Sequence, residues 1–277
     1  KGMDILVYGD IPNGSGLSSS ASLEVLMAYI VKDLFDLEIS LKEISLLCQY
    51  AENKYIGVNC GIMDQFAAAM GKKNHGIFLD TATLEYEYAP INLEGKKIII
   101  ANTKKRRGLN DSKYNERRSE CEEALSRLQT VTNIDSLGDL SNEEFESYKD
   151  VIKDETLIRR ARHAVYENQR TIEAMKALKA NDIKRFGILM NKSHESLRDD
   201  YEVTGIELDT LVSLAWNQEG VVGARMTGAG FGGCTVNIVN DDSVNKFVID
   251  VGEAYEEKIG YKAEFYVVEI GGGPKKL

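Results

Sequence analysis

The run Pro12-Asn13-Gly14-Ser15-Gly16-Leu17-Ser18-Ser19-Ser20-Ala21-Ser22 constrains this chain more than any other stretch. It follows a short apolar run, Ile5-Leu6-Val7-Tyr8, that reads as a strand. It precedes a stretch with Leu23, Leu26, Met27, Ile30 and Leu34 at helical spacing. A strand, a glycine turn and a serine-rich helix start, in that order, make an anion site. Glycines let the backbone come close to a phosphate, and the first N–H groups of a helix have no intrahelical partners. The serine hydroxyls add donors and a possible magnesium ligand. No Gly-Lys-Ser/Thr follows, so this is not a Walker A loop. An ordinary Gly/Ser loop with a serine helix cap would use the same residues, and local physics leaves both readings open.

Further on, Ser40-Leu41-Lys42-Glu43 has the form of a capping box, with Ile44, Leu47, Cys48, Ala51 and Tyr55 on one side of the helix it opens. Ile62, Met63, Phe66, Ala67 and Met70 predict another helix, stopped at Gly71. Gly76–Asp80 and Glu85–Tyr88 read as paired strands, and Lys96–Asn102 as a buried strand. Helical patterns cover Ser112–Leu128 and Glu155–Leu178. Strands Thr235–Val239 and Ala263–Ile270 flank a helix over Ser243–Ile259, and Thr130–Asp150 reads as loop with short helix. The fold class is α+β in two lobes, with the boundary expected near residue 90: residues 1–90 in the first lobe and 91–277 in the second.

A net charge of −10 argues against a nucleic-acid partner or an anionic membrane surface. Apolar runs such as Ile98-Ile99-Ile100-Ala101 are far too short to span a bilayer, and no signal peptide is visible. The local exception in charge is Lys104-Lys105-Arg106-Arg107, which fits either a solvated loop or electrostatic support for a polyphosphate. Cys48, Cys60, Cys121 and Cys234 are scattered without metal-type spacing and read as reduced thiols, which gives a cytoplasmic expectation.

Pro-x-Gly-x-Gly-Leu-Ser-Ser-Ser-Ala-Ser resembles the phosphate loop of the galactokinases, a family of GHMP small-molecule kinases. Gly57-Val58-Asn59-Cys60-Gly61-Ile62-Met63-Asp64-Gln65 is similar to their catalytic segment. Ordered matches continue through Asp111–Arg118, Arg159–His163, Ser193–Tyr201 and Met226–Cys234, over nearly the full chain. The resemblance implies the GHMP kinase architecture: an N-terminal ATP-binding lobe of mixed sheet and helices, here in part, and a C-terminal lobe with antiparallel sheet and helices. It implies an ATP:D-galactose 1-phosphotransferase that makes galactose 1-phosphate, with ATP and Mg2+ as cofactors and a monomeric state.

Residue by residue, the resemblance makes Gly14, Gly16, Leu17, Ser18, Ser19, Ser20 and Ala21 the nucleotide-binding set. Ser20 and Glu52 correspond to the magnesium ligands. Asp64 corresponds to the aspartate beside the sugar C1 hydroxyl, as proton acceptor or orienting group, and Gly61 and Tyr114 to sugar contacts. Taken alone, Asp64 would fit any helix start, where the dipole favours acids. Glu52 would pass for a solubilising charge, and Tyr114 for a packing residue. Gly228, Gly230, Gly232 and Gly233 form a second glycine cluster, which in the family packs against the phosphate loop. His163 and His194 read as structural hydrogen-bonders.

The galactokinase signature Arg-x-Asn-x-Ile-Gly-Glu-His-x-Asp-Tyr does not occur in the 277 residues. The chain therefore looks like a galactokinase without its N-terminal segment, and its expected activity alone is negligible, because the arginine and two acidic sugar ligands belong to that signature. Related sugars, N-acetylgalactosamine or arabinose, are alternatives to galactose. A non-catalytic galactose sensor is another. Some such regulators lack the Ser-Ala pair of the loop, and Ser20-Ala21 is present here.

Overall fold

The computed structural model describes residues 2–12, 15–57, 60–105 and 110–276, with side chains undescribed at 110–112. Three helices come first: α1 (Ser19–Leu34), α2 (Leu41–Ala51) and α3 (Met63–Met70). The capping box that opens α2 is formed, with the Glu43 backbone N–H donating to Ser40 Oγ and the Ser40 N–H to Glu43 Oε2. The three helices share a small core of Val25, Ile44, Cys48 and Ala69.

Two sheets follow. In one, β1 (His75–Leu79) pairs antiparallel with β2 (Tyr86–Pro90). The other is wholly antiparallel, in the order β4–β5–β3–β6, from β3 (Lys96–Asn102), β4 (Val221–Met226), β5 (Cys234–Asn240) and β6 (Glu264–Val268). One face of this sheet is covered by α8 (Ile206–Trp216) and α9 (Val244–Ile259), which bury Ile99, Ala101, Leu211, Val212, Phe247 and Val251 together. A separate core joins α4 (Asn110–Leu128), α5 (Asn142–Tyr148) and α6 (Glu155–Lys179) around Leu128, Phe145, Ile152 and Ala161. Between α6 and β4 lies α7 (Ile183–Asp199), packed on both. Among the described residues no helix is long and apolar enough to cross a membrane.

Several expectations need correction. Ile5–Tyr8 forms no strand: a strand needs a ladder partner, and this run has none among the described residues, with Leu6 97% and Tyr8 93% exposed. On α1 the buried residues are Ala21 and Val25, while Leu23, Leu26 and Leu34 are exposed. Small residues face inward there because α2 and α3 pack close against the helix. After Ala51 the helix widens into a π turn, Glu52–Ile56, which rotates Tyr55 out to 90% exposure and tucks Glu52 in. The elements α7, α8 and β4 have no counterpart among the sequence-based expectations; α7 and α8 pack on β4.

Candidate active site

The glycine-serine loop enters α1 without a side-chain cap. Ser18 stands at the N-cap position in a left-handed conformation, φ 56°, and makes no capping hydrogen bond. The capped-loop reading therefore fails, and the first N–H groups of α1 remain available to an anion. Ser15 is buried and ties the loop to its own start by donating to the Pro12 carbonyl at 2.6 Å. Gly16, Leu17, Ser18 and Ser19 are half-buried, Ser20 is exposed and Ala21 is buried. Gly14 lies outside the described residues.

Gly228 backs this loop. A β-carbon there would stand 3.1 Å from the Gly16 carbonyl oxygen, and φ of +77° adds a second requirement for glycine. The turn 228–233 is held in place by Phe231 N–H donating to the Val203 carbonyl at 2.6 Å. The buried His194 steadies the strand leading into the turn, accepting from the Met226 N–H at 3.2 Å. His163 is also buried, 3.0 Å from Ser196 Oγ, so both histidines serve as internal hydrogen-bonders.

Beside α1 the structure brings together two carboxylates. Glu52, 8% exposed, meets Glu24, and burial followed by the Glu52 charge pushes the Glu24 carboxyl up to about 7. Glu24 lies one helical turn beyond Ser20, about 6 Å along the axis, on the same face. Glu52 therefore reaches α1 within a turn of Ser20. Glu24 Oε2 is buried without a partner, and so is Oε1 of the adjacent Gln65. A hard cation with oxygen ligands suits such a place, with Glu52 at it and Ser20 one turn away along α1. Glu24 and Gln65 were missed by sequence reasoning, although an acid at i+4 from the loop serine was a usable signal.

Asp64 occupies the first turn of α3 and is half-buried, while Ile62, Phe66 and Ala69 form the buried stripe on the far side. Glu52 and Asp64 both flank the Cys60 thiol, which burial and then the Glu52 charge push up, Asp64 adding a smaller push. The loop around Cys60 is anchored by its N–H donating to Asn53 Oδ1 at 2.9 Å. Gly61 is exposed, with nothing within 4 Å of where a β-carbon would stand. A cleft of about 500 Å³ is lined by Asn53, Gly61, Met63 and, from α4, Arg118, one turn beyond the exposed Tyr114. A second cavity of about 610 Å³ joins Met63, next to Asp64, to Thr227 and Gly228. Met63 lines both spaces, and so stands between the cleft beside Gly61 and the cavity that reaches the glycine turn.

The basic run is less available than its composition suggests. Lys104 pairs with Glu264 and Lys105 with Glu207, each at 2.8 Å, while Arg106 and Arg107 lie outside the described residues. The described cysteines form no disulfide.

Residues 1–72 match the family model for the GHMP kinase N-terminal domain, and residues 174–257 that for the C-terminal domain. Galactokinases of Clostridium beijerinckii and Clostridium acetobutylicum are each 64% identical over all 277 residues, which span 71% of their length. The chain belongs to the galactokinase family of GHMP kinases. The crystal structure of Lactococcus lactis galactokinase complexed with galactose superposes with a TM-score of 0.94 at 56% identity, over 97% of this chain and 69% of that one. A solved structure of much lower identity shares the fold alone: the L. major mevalonate kinase in complex with R-mevalonate is 18% identical, with a TM-score of 0.59 over 92% of this chain and 67% of that one. The α+β architecture with its antiparallel C-terminal sheet is that of this family.

Proposed function

We propose that this chain transfers the γ-phosphoryl group of ATP to the C1 hydroxyl of D-galactose, giving galactose 1-phosphate and ADP. The observation that carries this reading is the 64% identity to galactokinases across the entire chain. Phosphoryl transfer asks the protein for positioning and charge stabilisation more than for covalent chemistry. Gly14, Gly16, Leu17, Ser18, Ser19, Ser20 and Ala21 cradle the phosphates through backbone N–H groups and hydroxyls. Asp64 hydrogen-bonds the C1 hydroxyl, aligns it with the γ-phosphorus and receives its proton. Gly61 lets the backbone approach the sugar, and Tyr114 contacts it from α4. Ser20 and Glu52 are the magnesium ligands of this reading. A bound magnesium ion would neutralise charge on the phosphate oxygens.

The separation of the β1–β2 sheet from the four-stranded sheet supports a lobe boundary near residue 90. A cytoplasmic setting, supported by cysteines that form no disulfide, and a monomeric state complete the proposal.

The test is galactose-dependent ADP release, assayed on the 277-residue chain and on the same chain with whatever residues its coding sequence places upstream. Turnover with galactose above that with N-acetylgalactosamine or arabinose is expected from the longer protein. Asp64→Asn should cut kcat by about 10²–10⁴-fold and leave nucleotide affinity within about twofold. Galactose binding without turnover in every form tested would overturn the kinase reading in favour of a sensor.

A further inference from the structure

Arg160 is the largest of the fully buried side chains among the described residues, at 2% exposure, and it lies outside the candidate site. Its guanidinium uses all three nitrogens. Nε donates to Glu120 on α4 at 2.8 Å, Nη1 to the Asp200 carbonyl at 2.6 Å, and Nη2 to Glu202 at 2.6 Å. One side chain on α6 thereby joins α4 to the turn that follows α7.

Both joined elements lead to the site. Glu120 lies about 9 Å along α4 from Tyr114. On the other side, Val203 follows Glu202 directly, and its carbonyl accepts the N–H of Phe231 at 2.6 Å. Gly230 meets the same carbonyl so closely that a β-carbon would stand 2.1 Å from it. Phe231 and Gly230 belong to the turn whose Gly228 backs Gly16 of the phosphate loop. A second link closes the circuit: Lys113 Nζ, adjacent to Tyr114, stands 5.3 Å from the centroid of the Phe231 ring.

We propose that Arg160 is a positioning residue for the sugar subsite, fixing α4, and with it Tyr114, against the glycine turn that supports the phosphate loop. The inference rests on the sugar-side reading of Tyr114. A planar, permanently charged fork suits this task because it fixes the direction of three partners at once, which an ammonium group does not. The turn that backs the phosphate loop keeps a second anchor that does not pass through Arg160, the Met226 N–H donating to His194 on the strand leading into it. Loosening Arg160 should therefore affect the sugar and spare the nucleotide.

The experiment compares Arg160→Lys, Tyr114→Phe and the double variant by KM for galactose, KM for ATP and kcat, in the form of the protein that turns over galactose. Arg160→Lys should raise the galactose KM about tenfold and change the ATP KM by less than about twofold, within the range for residues coupled through one network. The double variant should have a galactose KM within about twofold of Tyr114→Phe alone, because the lysine variant acts through the tyrosine. A lowered melting temperature with both KM values unchanged in Arg160→Lys overturns the proposal, as do effects that multiply. An unchanged galactose KM in Tyr114→Phe overturns the sugar-side reading itself, and the proposal falls with it. Should Arg160→Lys fail to fold, Glu120→Gln weakens one arm of the same network and is expected to show the same split between the two KM values. Equal shifts in both would overturn the proposal.

Discussion

Gly228 and Gly16 lie against each other across 212 residues of sequence, with the Gly16 carbonyl oxygen 3.1 Å from where a Gly228 β-carbon would stand. Gly228→Ala would combine a left-handed alanine with a push of a few tenths of an ångström on the loop carbonyl. Together these cost about 1–2 kcal/mol, or roughly 5- to 30-fold in affinity if expressed at the loop. The ATP KM should rise by that factor while the galactose KM stays nearly constant. A rise in the galactose KM alone would show that the turn does not shape the phosphate loop.

If Ser20 and Glu52 hold magnesium, Ser20→Ala and Glu52→Gln should each raise the magnesium concentration needed for half-maximal rate. Ser22→Ala is two residues further along α1 and should shift it less than Ser20→Ala. Magnesium titrations that coincide with the wild type for both variants would remove the assignment.

His163 links stability to pH. Burial in a helix interface, with Arg170, Arg225 and Arg160 nearby and only Glu167 opposing, pushes its imidazole down from 6.5 to about 4. The unfolded chain therefore binds the proton first. Stability from this residue is complete above about pH 6.5 and is lost as the pH falls towards 4, by about 3 kcal/mol in all. Urea unfolding at pH 7.0, 6.0 and 5.5 should show this decline in the wild type and a shallower one in His163→Gln. Parallel curves would mean that His163 titrates as it does in the unfolded chain.

Gly187 on α7 lets the helix lie directly on β4: a β-carbon there would come within 2.1 Å of the Val222 carbonyl oxygen. Overpacking a close-packed core costs about 1–3 kcal/mol, and a backbone neighbour that cannot swing away puts Gly187→Ala at the upper end. Thermal unfolding should show a drop of several degrees, on the order of 6–12 °C. Gly61→Ala is the contrasting case, since its β-carbon would meet open space. Its melting temperature should stay near wild type while the galactose KM rises; an equal melting loss in both would contradict this packing.

Local chemistry made much of this protein readable before any coordinates. The Ser40–Glu43 box, the Gly71 stop, the paired strands β1 and β2 and the buried run of β3 are decided by residues within a few positions of one another, and each formed as read. The uncapped start of α1, by contrast, depends on the left-handed Ser18. Residue types also pointed to the family. What spacing could not supply was which side of a helix faces inward. Leu23 and Leu26 look like core and are exposed, because the inward face of α1 is chosen by neighbours that admit only Ala21 and Val25. The same holds for polar groups. Glu24 against Glu52, Arg160 among Glu120 and Glu202, and Gly228 on Gly16 are meetings of distant segments. A sequence determines its own turns, caps and periodicities, since these are short-range backbone preferences. Only tertiary packing decides which charges lose their water and which glycines meet, because burial is a property of the partners and not of the residue.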